Sequence, residues 1–103
     1  MAWPFSTPAS GPTSFGGPGA TVPTSATEIG GAAAIWLVGL HFINSGVVDR
    51  TVTVTNTAGA LLWKETIPPS SGSRPYEPTF EPSTGLKWSV DGGSDVVGHV
   101  WGY

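Results

Sequence analysis

The run Ala32-Ala33-Ala34-Ile35-Trp36-Leu37-Val38-Gly39-Leu40-His41-Phe42-Ile43-Asn44 is the most apolar stretch of the chain, and any fold must first cover it. A helix that spans a bilayer needs about 20 apolar residues, so this run is too short to cross as one. Its branched and aromatic residues, the central Gly39 and the closing Asn44-Ser45-Gly46 turn favour a long strand over a buried helix. Alternation then places Trp36, Val38, Leu40 and Phe42 on one face and Ile35, Leu37, His41 and Ile43 on the other. Both faces are apolar, so both need a cover. One is the opposing sheet of the same domain; the other is the chain's own arm, a neighbouring subunit or a partner protein.

The downstream pattern is that of an all-β domain. Arg50-Thr51-Val52-Thr53-Val54-Thr55 alternates cleanly, with valines one way and threonines the other, the mark of a strand with one wet face. Asn56-Thr57-Ala58-Gly59 makes a hairpin loop, and the return strand Ala60 to Ile67 directs Leu61, Trp63 and Ile67 inward with Glu65 near the edge. Pro68-Pro69 ends it, because proline donates no ladder hydrogen bond. Thr79-Phe80-Glu81 reads as a short edge strand. Leu86 to Asp91 reads as a strand with Leu86, Trp88 and Val90 inward, and after the Asp91-Gly92-Gly93 turn Val96 to Tyr103 reads as the last strand. No run has a helical period. The expected fold is a small antiparallel β-sandwich or barrel of five to six strands over residues 32–103, preceded by an extended arm over residues 1–31.

That arm holds five of the ten prolines, six of the fifteen glycines and one charge, Glu28. Such composition commonly marks a flexible leader. Here Trp3, Phe5, Phe15, Val22 and Ile29 are spaced along it like anchors, which favours an arm that packs on a neighbour or partner. A body of about 70 residues buries only about 60–65% of its unfolded surface, so assembly would relieve a marginal core. With no cysteine in 103 residues, disulfides and thiolate metal sites are excluded as staples.

Charge narrows the partners. The net charge is −3, and the four basic residues, Arg50, Lys64, Arg74 and Lys87, are scattered singly, which argues against nucleic acid. Charged residues make up 11% of the chain, against about 25% in ordinary domains, so much of the surface is expected to lie in contacts. Residues 1–6 lack the basic and apolar regions of a secretory signal, so synthesis in a cytoplasm is expected.

Catalysis is poorly provided for. His41 and His99 each lie within an apolar strand, on neighbouring strands, and read as structural histidines. A hydrolase reading would need Asp49, Asp91 or Asp95 to orient one of them toward a serine, and no Gly-x-Ser-x-Gly elbow exists. Glu65, Glu77, Glu81, Asp91 and Asp95 offer carboxylates without a pairing motif, and neither a phosphate loop nor metal-ligand spacing is visible. No catalytic residue, metal or cofactor is assigned. Of the five tryptophans, Trp36, Trp63, Trp88 and Trp101 fall one per strand and are expected to fill the space between two sheets; a sugar-binding platform is the alternative. Arg74-Pro75-Tyr76-Glu77-Pro78 reads either as a recognition loop, through Arg74, Tyr76 and Glu77, or as a proline-stiffened crossover.

The hairpin Arg50 to Trp63, the proline-rich loop, the strand Gly85-Leu86-Lys87-Trp88-Ser89 and the ending Gly98-His99-Val100-Trp101-Gly102-Tyr103 resemble a kind of small β-sandwich virion protein of tailed bacteriophages, over about residues 33–103. The resemblance implies a non-enzymatic structural protein of the virion, foremost a capsid decoration (cement) protein bound to the major capsid protein or another virion protein. It implies a homo-oligomer, often a trimer, with no membrane partner. The arm would bind through Trp3, Phe5, Phe15 and Val22. A neck, tail or fibre component and a carbohydrate-binding module are the alternatives.

Overall fold

A computed structural model describes residues 13–30, 36–74, 81–82 and 85–102. Among them every regular element is a strand: β1 (Thr13–Thr21), β2 (Thr27–Ile29), β3 (Trp36–Asn44), β4 (Arg50–Thr55), β5 (Leu61–Ile67), β6 (Ser71–Gly72), β7 (Glu81–Pro82), β8 (Leu86–Val90) and β9 (Val96–Gly102). They form two antiparallel sheets. The first runs β1-β9-β3-β6, with β7 also on β3; the second runs β2-β8-β4-β5. The expected small antiparallel β-sandwich is present, with nine described strands instead of five or six, because β1 and β2 come from residues read as arm and β6 and β7 are pairings of only two residues.

β4 and β8 behave as their alternation requires. Val52, Val54, Leu86, Trp88 and Val90 are buried between the sheets while Thr51, Thr53, Thr55, Lys87 and Ser89 face outward. The β4–β5 loop closes with Gly59 N–H donating to Asn56 O at 3.0 Å and Ala60 N–H donating to Asn56 Oδ1 at 2.9 Å. β5 departs from expectation at its start. Its register shifts so that Thr55 pairs Leu61 while Val54 pairs Trp63, which turns Leu61 out to 60% exposure and brings Leu62 toward the core.

The same device operates in β3. Leu37 pairs Gly102 but Gly39 pairs Trp101, so one extra residue is absorbed between them. Alternation restarts there, and Leu37 joins Leu40 and Phe42 in the core instead of facing away from them. Residues 32–35, the expected beginning of this strand, and residues 79–80, the expected edge strand ahead of Glu81, lie outside the described residues.

The largest difference concerns residues 13–29, read above as part of a coreless arm. β1 pairs along β9, from Thr13 opposite Gly102 to Thr21 opposite Val97, and β2 pairs β8. Val22, at 1% exposure, and Ile29 lie in the core, and Phe15 packs against it. Glycine and proline hid this strand because β1 is irregular, with register shifts between Ser14 and Gly16 and between Gly16 and Ala20. The sandwich therefore takes residues on both sides of the expected boundary at 31/32.

Asn44 is fully buried at the inner end of β3, yet it is satisfied. Its Nδ2 donates to Val48 O at 2.8 Å and to Ile67 O at 2.9 Å, and its Oδ1 accepts Gly46 N–H at 2.9 Å. One side chain thus fixes the turn that leaves the first sheet and ties it to the end of β5 in the second. Arg50 and Asp95 clamp the same end at 3.1 Å, both partly buried.

Asn44→Asp is nearly isosteric but removes both donors, leaving the buried Ile67 carbonyl and the part-buried Val48 carbonyl opposite a carboxylate. It should lower unfolding free energy by about 3 kcal/mol in urea titrations, from a penalty of about 1–3 kcal/mol per orphaned group. Gly98 faces inward, and a Cβ there would lie far inside van der Waals contact with the Phe42 ring. Gly98→Ala should therefore cost about 1–3 kcal/mol by overpacking, with a matching fall in Tm by calorimetry.

Candidate docking face

Because β9 alternates, Val96, Gly98, Val100 and Gly102 point between the sheets and Val97, His99 and Trp101 point away from them. β3 supplies the partners. Trp101 lies opposite Gly39, His99 opposite His41 and Val97 opposite Ile43, three rungs of an outward ladder. Gly39 is what lets the first rung lie flat: a Cβ there would collide with the Trp101 indole. The His99 and Trp101 rings sit 4.8 Å apart between centroids, tilted by 41°. His41 leans over β6, where a Cβ on Gly72 would stand 3.1 Å from its Nε2.

Trp101, His99, His41, Val97 and Ile43, with Gly98 and with Pro18 and Gly19 of β1, line a shallow groove of about 310 Å³. None of its lining residues is Lys, Arg, Asp or Glu. Ile43 is 46% exposed, and beyond the end of β3 the turn residues Val47 and Val48 are also exposed. The Nε2 of His99 is buried and has no hydrogen-bond partner. A buried polar atom without a partner is uncommon and carries a desolvation penalty, so this face holds one unmet polar requirement within an apolar setting.

The opposite outer face is chemically different. A depression of about 570 Å³ on the second sheet is lined by Thr24, Thr51, Thr53, Lys64, Thr66, Ser89, Val90 and Asp91. The hydroxyls of Thr51 and Thr66 hydrogen-bond each other at 2.8 Å. Such a surface is at ease in water, whereas the β3–β9 face is not.

The residues singled out from sequence scatter. Val22 is a core residue and has no surface to offer a partner; Phe15 is half-buried over Gly30, whose added Cβ would strike its ring. Arg74 is 91% exposed at its side chain, 3.9 Å from Glu65, and its backbone N–H donates to Glu65 Oε2 at 3.2 Å. Trp3, Phe5, Tyr76 and Glu77 lie outside the described residues. The two histidines do fall on neighbouring strands, directly opposed. Of the aspartates that could orient them, Asp95 is engaged by Arg50, and Asp91 accepts Thr51 N–H at 3.1 Å. Among the described residues no three His, Cys, Asp or Glu side chains cluster to hold a metal ion.

Trp101 corrects the expectation of four tryptophans between the sheets. Trp88 is in the core and Trp63 stacks on Phe42 at 5.3 Å, but Trp101 is outside, because the inward parity of β9 is taken by valine and glycine. Sequence reasoning missed the outward row Val97, His99, Trp101 that lines the groove. The small residues at Gly98 and Gly102 were its trace in the sequence. No protein-family model, curated protein or solved structure matches the chain.

Trp88→Ala should cost about 3–5 kcal/mol, as for a buried aromatic truncation. Trp101→Ala should cost less than half of that, since its ring covers only one side of the strand pair. Urea unfolding followed by circular dichroism compares the two; equal losses would return Trp101 to the core.

Proposed function

We propose that this chain is a non-enzymatic structural subunit of a phage virion, foremost a capsid decoration (cement) protein that binds and stabilises the shell. The observation that carries this reading is the inequality of the two outer faces: an uncharged groove between Trp101, His99, His41 and Ile43 on one, a threonine-lined wet surface on the other. A small domain with one dry outer face gains by keeping that face in contact, because burying apolar area is worth about 25 cal/mol per Å². The low overall charge points the same way, and so does the resemblance noted above. The partner in this reading is the major capsid protein or another virion protein, and the subunit acts as a homo-oligomer, for which a trimer is the form implied by the resemblance. The residues upstream of Thr13, with Trp3 and Phe5, supply further anchoring.

The copy number of the chain relative to the major shell protein, measured by quantitative mass spectrometry of purified particles, tests the proposal. A fixed stoichiometry near one per shell subunit or capsomer is expected. A few copies per particle would move the assignment to neck, tail or fibre, and absence from particles would overturn it.

A carbohydrate-binding module is the second reading, favoured by the half-exposed Trp101 ring beside His99. It expects tryptophan fluorescence to change on titration with soluble glycans and the change to vanish in Trp101→Ala. An unchanged spectrum across a glycan panel removes it.

A further inference from the structure

We infer that the β3–β9 groove of one copy receives the Val47-Val48 turn of a second copy, so that the chain assembles with itself by a knob-in-groove contact. This names the self-contact of the homo-oligomer proposed above and rests on that part of the reading alone, not on the virion.

The knob breaks a local rule. Turns ordinarily carry Gly, Pro, Asn, Asp or Ser, residues that suit a reversing backbone and water. Other turns of the described chain conform: Thr57-Ala58-Gly59 lies between β4 and β5, Pro68-Pro69-Ser70 between β5 and β6, and Gly92-Gly93-Ser94 between β8 and β9. The β3–β4 turn instead sets two branched apolar side chains in solvent, Val47 at 88% exposure and Val48 at 47%.

The knob is also held rigidly. Ser45 donates to Asp95 O from its N–H at 2.9 Å and from its Oγ at 3.0 Å. Asn44 takes Gly46 N–H on its Oδ1 and donates from Nδ2 to Val48 O. A Cβ on Gly46 would strike the Asp95 carboxylate, so the turn is packed as well as bonded. Both flanks of Val47 are fixed, and a pre-organised side chain has little freedom left to lose on docking. The same bonds keep it from reaching its own groove. The turn crosses from the first sheet to the second at the end of the sandwich, whereas the groove lies on the outer face of the first sheet.

The groove answers the knob in size and charge. At about 310 Å³ it is at the lower end of pockets that hold small ligands, about 300–1,000 Å³, which suits one or two branched side chains and not a whole strand. Ile43, 46% exposed, stands among its lining residues as a further apolar contact. A chain with net charge −3 meets another copy of itself with least repulsion through surfaces free of acids. The groove has no acidic lining residue, and the turn brings only Asp49, beside the valine pair.

Knob and groove are different surfaces of one molecule, so the contact is head-to-tail, and such contacts either close into a ring or run on as a filament. One turn in one groove is a small contact against the about 800 Å² per partner of a stable pair. A closed ring gives every copy two of them at once, and the inferred product is that ring.

The test uses the purified full-length chain. Sedimentation velocity at chain concentrations up to about 1 mM, the Kd of a weak complex, should show a closed oligomer of three or more copies in equilibrium with monomer. Val47→Glu should raise the midpoint concentration about tenfold or more, as for loss of a central apolar contact, with far-ultraviolet circular dichroism and Tm unchanged. Ile43→Glu, at the groove, should do the same, and Leu61→Glu, at an exposed leucine of β5, should not. With Val47 replaced by photo-leucine and an equal mixture of ¹⁴N- and ¹⁵N-labelled chains irradiated, trypsin cutting after Arg50 and Lys87 separates residues 1–50 from residues 88–103. The expected product joins position 47 to residues within 97–101 and includes mixed-isotope pairs. Monomer at every concentration would overturn the inference together with the homo-oligomer. An oligomer that Val47→Glu leaves intact, a twofold dimer, or pure-isotope products alone would overturn the inference and leave the homo-oligomer standing. No particle enters the measurement, so its failure is distinct from failure of the virion reading.

Discussion

The pairing of β3 with β9 is the seam on which the rest of this molecule depends. On its inner side the register sets Phe42 against Gly98, and the ring then reaches across to Trp63 and Trp88 of the other sheet at 5.3 and 5.9 Å. On its outer side the same register aligns Trp101 with Gly39, His99 with His41 and Val97 with Ile43. A slip of one residue would exchange these two sets, exposing the core aromatics and burying the histidines. Register is protected by the shift between Leu37 and Gly39 at one end and by the Asn44 hydrogen bonds at the other. Core and candidate docking face are two sides of one ladder, so neither can change without the other.

That arrangement explains how a chain without cysteine, and without a helix among its described residues, keeps a defined core. β9 is central in its sheet, held on one side by β1 from the beginning of the described chain and on the other by β3. The chain's distant parts are thus joined directly, Thr13 to Gly102. Loss of freedom on closing such a loop grows only slowly with its length, so strands far apart in sequence are affordable partners once they bury enough apolar surface. At the β3 edge Ser73 continues the pairing: its N–H donates to Phe42 O at 2.7 Å, and its Oγ accepts Phe42 N–H at 2.9 Å. Buried backbone groups at the edge are thereby satisfied without a further long strand.

Legibility of the fold followed regularity of pattern. β4 and β8 could be read residue by residue because each has one wet and one dry face, and alternation reports this directly. The Asn56 to Gly59 hairpin could be read from turn chemistry. β1 could not, because Gly16, Gly17, Pro18 and Gly19 carry no alternation; its strand character comes from β9 accepting it as a neighbour, a tertiary effect. Leu37 and Leu61 were assigned to the wrong faces because each lies beside a register shift, and a single inserted residue inverts the parity of what precedes it. The need for a second cover over β3 was readable from its two apolar faces. The position of Trp101 on that uncovered face was not, since tryptophan's apolar size favours the interior and only the glycines at 98 and 102 spoke against it.

The two outer faces then pose an asymmetric demand on the environment. Threonines at 51, 53 and 66 exchange hydrogen bonds with water or with each other and leave the wet sheet indifferent to a partner. The β3–β9 face has no such outlet: its indole and aliphatic groups gain nothing from water, and His99 Nε2 is shielded from it without a replacement. That nitrogen lies inside the fold, so its missing hydrogen bond is a cost carried by the folded chain itself and not a contact held open to an incoming ring.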